Sequence, residues 1–228
     1  MQATDTSTRT DTSNRERQST ALTSRSALRR GALGGGAIAA AIAMFVHPHA
    51  GDHPYEGIAS AADTWLLTHI VLFASFLAIG VGTFLLARRL GGRLASIGQV
   101  GAAIFTVFYG GYVAMVGLST ALIVRAGSGL SGAEQAGINE ALVYLLETPA
   151  IMAVAGVGTL GFLIAVGAIA VGYRRLGVSV VPLVLLFGAV VALGIHSGLI
   201  AVVGMLAFLA GVAWIEVSTS AQTDESPA

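Results

Sequence analysis

"WLLTHIVLFASFLAIGVGTFLLARR", residues 65–89, decides the fold class. From Trp65 to Ala87 it carries no charge, and it closes on Arg88 and Arg89. A helix of that length rises about 35 Å, enough to cross a hydrocarbon core of about 30 Å. Similar runs follow at Ile97–Val124, closed by Arg125, and Pro149–Gly172, closed by Arg174 and Arg175. Thr148–Pro149 supplies a hydroxyl cap and a proline at the first helical position. The last apolar block, Leu176–Val217, is too long for one span. Its polar break, "GIHSG" at Gly194–Gly198, divides it into two.

Upstream, Gly31–Val46 is a shorter apolar run behind Arg25, Arg29 and Arg30. It resembles the h-region of a signal peptide, and "RRGAL" echoes a twin-arginine signal. Pro48, three positions before a cut after Ala50, is not the small residue such a site needs. The run is therefore read as a retained first helix. The expectation is an all-α integral membrane bundle of six transmembrane helices. Residues 27–217 form that domain, flanked by disordered cytoplasmic tails at 1–26 and 218–228.

Composition agrees. Hydrophobic residues make up 55% of the 228 and charged residues 11%, against about 25% charged in soluble domains. All basic residues are arginine, and eleven of them fall on one side if the N-terminus is inside; only Arg125 falls outside. The positive-inside rule then puts both termini in the cytoplasm and the protein in the cell membrane. Zero net charge offers no field for nucleic acid. The absence of cysteine excludes disulfides, thiolate metal sites, iron–sulfur clusters and covalent haem attachment.

In this topology all five histidines lie at the outer side. His47, His49 and His53 stand in "HPHAGDHP" (47–54), His69 lies one turn into the second span, and His196 sits in the turn between the last two. Neutral imidazole suits Zn, Cu and haem iron. His69 and His196, on different helices, are candidate ligands of a b-type haem or of one metal ion, and His47, His49 and His53 are candidate metal ligands that would add to them. Asp52, Glu56 and Asp63 are nearby oxygen donors. The competing reading is a stiff polar loop between Pro48 and Pro54, because H-x-H-x3-H is not a tight metal fingerprint.

Thr106, Tyr109, Tyr112, Ser119 and Thr120 form a polar stripe on the third span. It could line a pathway for a small solute, or its hydroxyls could bond neighbouring helices. Small residues recur four apart: Gly35, Ala39 and Ala43; Ala74, Ala78 and Gly82; Gly161 and Ala165; Ala168 and Gly172. That spacing permits close helix approach, within the chain or in an oligomer or with a partner subunit. "SGAE" (131–134) has capping-box spacing, and Ile138, Leu142, Leu145 and Leu146 behind it give either a surface helix or an extension of the fourth span.

No Asp, Glu, Lys or Arg lies deep within a span, and no P-loop, HExxH or serine–histidine–acid order occurs. A proton-driven carrier or an ATPase is thereby disfavoured. The leading expectation is a small membrane subunit, sensor or passive facilitator without catalytic machinery. The alternatives are a haem- or metal-binding redox protein and a small-solute channel.

Overall fold

The structure, a computed structural model, describes the backbone of residues 7–224 and the side chains of Ser24 and residues 26–219. Every regular element among the described residues is helical. The helices are α1 (Ser7–Phe45), α2 (Pro54–Ala59), α3 (Ala62–Arg88), α4 (Gly92–Gly127), α5 (Gly132–Glu147), α6 (Pro149–Arg175), α7 (Val180–Ile195) and α8 (Gly198–Asp224).

Four stretches are long and apolar enough to cross a membrane: Ala62–Arg88, Gly92–Gly127, Gly132–Arg175 and Gly198–Thr219. The apolar α7, Val180–Ile195, is shorter. α1 begins at Ser7, well upstream of the expected start at residue 27. No glycine or proline occurs before Gly31, so a helix nucleated by the buried apolar half has nothing to stop its propagation upstream. Similarly, α8 runs on to Asp224, past the expected boundary at 217. Residues 1–6 and 225–228 of the two expected tails lie outside the described residues.

α1 lies against α3 and α8, α4 against α6 and α3, and α7 against α8. An aromatic column fills the centre: Phe76 meets Phe105 and Tyr109 edge-on, Phe105 meets Phe162, and Phe162 meets Phe208. Such pairs add about 0.5–1.5 kcal/mol each beyond the area they bury. The small-residue spacing is used within the chain. A Cβ on Gly101 would stand 2.6 Å from the carbonyl oxygen of Gly161 and 2.8 Å from the Ala165 nitrogen. α4 and α6 therefore touch backbone to backbone.

α5 begins with the capping box: Ser131 and Glu134 bond each other's backbone and side chain. It is a separate helix, because Thr148 adopts φ −63°, ψ 131° before Pro149 starts α6. Leu142 is buried, while Tyr144 is 75% exposed. The Tyr55 amide of α2 donates to Asn139 Oδ1 of α5 at 3.0 Å. Together α2 and α5 cover one end of the bundle, where Tyr55, Ile58, Ala121, Val124 and Leu142 close over Trp65.

Two ends result. Arg29, Arg89 and Glu216 meet at one: Arg29 donates to both carboxylate oxygens of Glu216, at 2.6 and 2.8 Å. His47, His69 and His196 meet at the other. Along the chain the pairs 29/47, 69/89 and 196/216 are 18 to 20 residues apart, which along a helix is about 27–30 Å, the thickness of the hydrocarbon layer.

Candidate metal centre

Three elements bring the histidines together. His47 follows the end of α1, where the chain leaves helical geometry before Pro48. His69 is in the second turn of α3. His196 is the first residue after α7 and adopts φ +65°, the left-handed region, with Gly198 at φ +77° two residues on. Those two reversals let the apolar chain turn back at once, as the "GIHSG" break implied.

One ring nitrogen of each of His47, His69 and His196 lies within 4.8 Å of the other two. The hydrogen bonds set the tautomers. His69 Nδ1 is 2.8 Å from the Trp65 carbonyl, and His47 Nδ1 is 2.6 Å from the Pro48 carbonyl. A carbonyl only accepts, so both Nδ1 atoms carry the hydrogen and both Nε2 atoms hold a lone pair. Those two Nε2 atoms face each other at 3.4 Å. At His196 the same logic runs through Tyr109. The Tyr109 hydroxyl donates to the Leu193 carbonyl at 2.9 Å, so its oxygen is left to accept from His196 Nδ1 at 3.2 Å.

Aromatic rings wall the group. Trp65 stacks on His69 at 4.7 Å and meets His47 edge-on at 5.2 Å. Tyr112 meets His196 edge-on at 6.3 Å. Trp65 is itself anchored: its Nε1–H donates to the Gly117 carbonyl at 3.0 Å and to Thr120 Oγ1 at 3.1 Å. Gly117 is required there, because a Cβ would stand 1.9 Å from the His69 ring. α4 reaches both partners through two wide, π-type segments, Phe105–Tyr109 and Val113–Leu118, a distortion frequent at functional sites. Burial pushes the pKa of His47, outside the spans, below the usual imidazole range and favours its neutral, ligating form.

Of the three loop histidines, one stands beside the pair His69 and His196. His47 joins His69 and His196, whereas His49 and His53 are exposed outside the group. His53 instead borders a surface cavity with Glu56, Gln135 and Asn139. Of the acidic residues, Asp52 and Glu56 are exposed, and Asp63 pairs with Arg125. Four of the five hydroxyls of the α4 stripe are spent on carbonyls. Thr106 donates to Ala102, Tyr109 to Leu193, Ser119 to Ala114 and Thr120 to Val116. Trp65 and Gly117 are the contributors that residue chemistry alone did not mark. "WLLTH" carried the signal for the first, since residues four apart share a helix face.

No protein family, curated protein or solved structure matches the chain.

Proposed function

We propose that the chain is a six-span protein of the cell membrane, both termini cytoplasmic, that holds one divalent transition-metal ion on His47, His69 and His196 at its outer end. The observation that carries this is the 3.4 Å approach of two imidazole nitrogens whose hydrogens are both committed elsewhere. Two lone pairs so placed repel, and a cation between them reverses the sign. Zinc–nitrogen bonds of 2.0–2.1 Å at a tetrahedral angle hold their nitrogens about 3.3 Å apart. The Nδ1–H of each of the three rings also donates to an oxygen, the outer support that metal-bound histidines generally have.

Three nitrogen ligands leave a fourth position for water or an outside ligand. Zn(II) and Cu(II) both suit neutral imidazole. A haem does not fit the same residues. The His69 and His196 rings are 6.1 Å apart, but His47 lies 4.9 and 5.3 Å from them, and Trp65 and Tyr109 close in beside. A macrocycle between the pair would have to displace these rings.

The six-span count adds the apolar half of α1 and the shorter α7 to the four longer stretches. The arginine distribution supports the orientation. In this reading the protein is a metal-binding membrane subunit or sensor, and the three imidazoles serve to hold the ion.

Isothermal titration of the detergent-purified protein with Zn(II) tests the proposal. One ion per chain is expected, lost in His69→Ala and His47→Gln and retained in His49→Ala and His53→Ala. Absence of stoichiometric binding by the folded native protein, or equal loss in the His53→Ala control, overturns it.

A further inference from the structure

The opposite end of the bundle carries a second polar cluster with different chemistry. Glu216 of α8 accepts from Arg29 at 2.6 and 2.8 Å and from Arg30 at 3.1 Å, and Arg89, just past the end of α3, lies 3.6 Å away. Among the described residues three guanidiniums therefore share this carboxylate, and that group keeps a positive excess. The Arg29 and Glu216 side chains are buried, at 8% and 9% exposure, but Arg30 is 56% exposed. Arg30 offers Glu216 only Nε, so the outer edge of its guanidinium has donors to spare.

Beside Arg30 runs a groove between α1 and α8 of about 610 Å³, lined by Gly34, Leu209, Val212, Ala213 and Val217. Apart from Arg30 and Glu216 its walls are entirely apolar. Gly34 leaves the α1 side open: a Cβ there would meet only Leu209, at 4.0 Å. A cationic rim over an apolar trough at the end of a membrane helix pair is complementary to a molecule with an anionic head and a hydrocarbon tail. Basic pockets between transmembrane helices take anionic lipid headgroups in this manner. A soluble anion would use the rim and leave the trough unfilled.

We infer that this groove binds an anionic phospholipid, its phosphate on Arg30 and one acyl chain along Gly34, Leu209 and Ala213. Arg89 adds charge from across the shared carboxylate. The inference needs only that α1 and α8 lie in a bilayer; it stands apart from the metal centre and from the orientation.

The test uses the purified full chain in detergent micelles doped with phosphatidylglycerol or with phosphatidylcholine of the same acyl chains. Retained lipid is read by native mass spectrometry and thermal midpoint by scanning fluorimetry. Phosphatidylglycerol is expected to stay bound and to raise the midpoint above that in phosphatidylcholine. Arg30→Gln is expected to lose both effects, while Arg93→Gln, the same charge change at an exposed site on α4, keeps them. Ala213→Phe, which fills the trough and leaves the ion pairs intact, is expected to weaken retention about tenfold. Equal retention of the two lipids by the native protein, an unchanged response in Arg30→Gln, or full retention in Ala213→Phe overturns the inference. Binding of inorganic phosphate with the affinity of the lipid would also overturn it, since the trough would then contribute nothing.

Discussion

The Tyr109 hydroxyl stands between two groups at the end of α7, 2.9 Å from the Leu193 carbonyl and 3.2 Å from His196 Nδ1. It donates to the first and thereby orients the second. Tyr109→Phe removes that oxygen and leaves the ring in the aromatic column. Metal affinity is expected to fall about 10–100-fold, as when the outer support of a ligating histidine is lost elsewhere. Titration calorimetry reads the loss; an unchanged affinity would mean that Tyr109 only packs.

Gly117 is 1.9 Å, measured from the position a Cβ would take, from His69 Cδ2. Gly117→Ala must push the ring or the α4 backbone aside. The strain is expected to cost about 1–3 kcal/mol, and the displaced ring to abolish ion binding. Chemical unfolding in detergent and zinc titration measure the two effects on one sample.

His196 combines its proposed ligand role with a left-handed backbone. His196→Gly and His196→Ala should both lose the ion. Glycine accepts φ +65° freely and alanine does not, so the glycine variant is expected to be more stable by about 1 kcal/mol. Equal stability of the two would show that the turn relaxes when the imidazole is removed.

Glu216→Gln leaves Arg29 buried without its counter-charge. Breaking a buried pair by removing one partner costs about 3–5 kcal/mol, so this variant is expected to unfold at clearly lower denaturant than Asp63→Asn. Asp63 pairs with Arg125 at the exposed end, with 86% and 45% of the side chains open to solvent, where such pairs contribute about 0–1 kcal/mol.

Orientation is tested with single cysteines, since the native chain has none. An impermeant thiol reagent on intact cells is expected to label His53→Cys and to spare Arg93→Cys. The reverse pattern would place the histidines on the inner side.

Much of the bundle could be read from residue type because lipid imposes a blunt rule: long uncharged runs, with arginine at one end. Thus Arg88, Arg125 and Arg175 mark the ends of α3, α4 and α6 closely, and the polar "GIHSG" marks the reversal at His196. The helical span of α1 upstream of residue 27 was hidden, since composition registers low apolar content but not the absence of breakers. At the candidate site, histidines near the ends of the apolar runs were visible as a set, yet their partition was not. His47 and His49 are two residues apart, and which of them turns inward depends on where α1 stops and on Trp65 and His196, remote in sequence. Gly117 gave no signal, because nothing in a glycine names the ring it makes room for.

The wide turns of α4 have a consequence for what the chain can tolerate. An ordinary helix advances about 100° per residue, so its faces are locked to residue count. Phe105–Tyr109 and Val113–Leu118 depart from that pitch, and between them α4 presents Tyr109 to one neighbour and Gly117 to another. Tightening either stretch to ordinary α pitch at constant length would swing one of these surfaces toward lipid, even with every side chain preserved. The spacing of this segment is thus as much a part of the proposed metal centre as the imidazoles themselves.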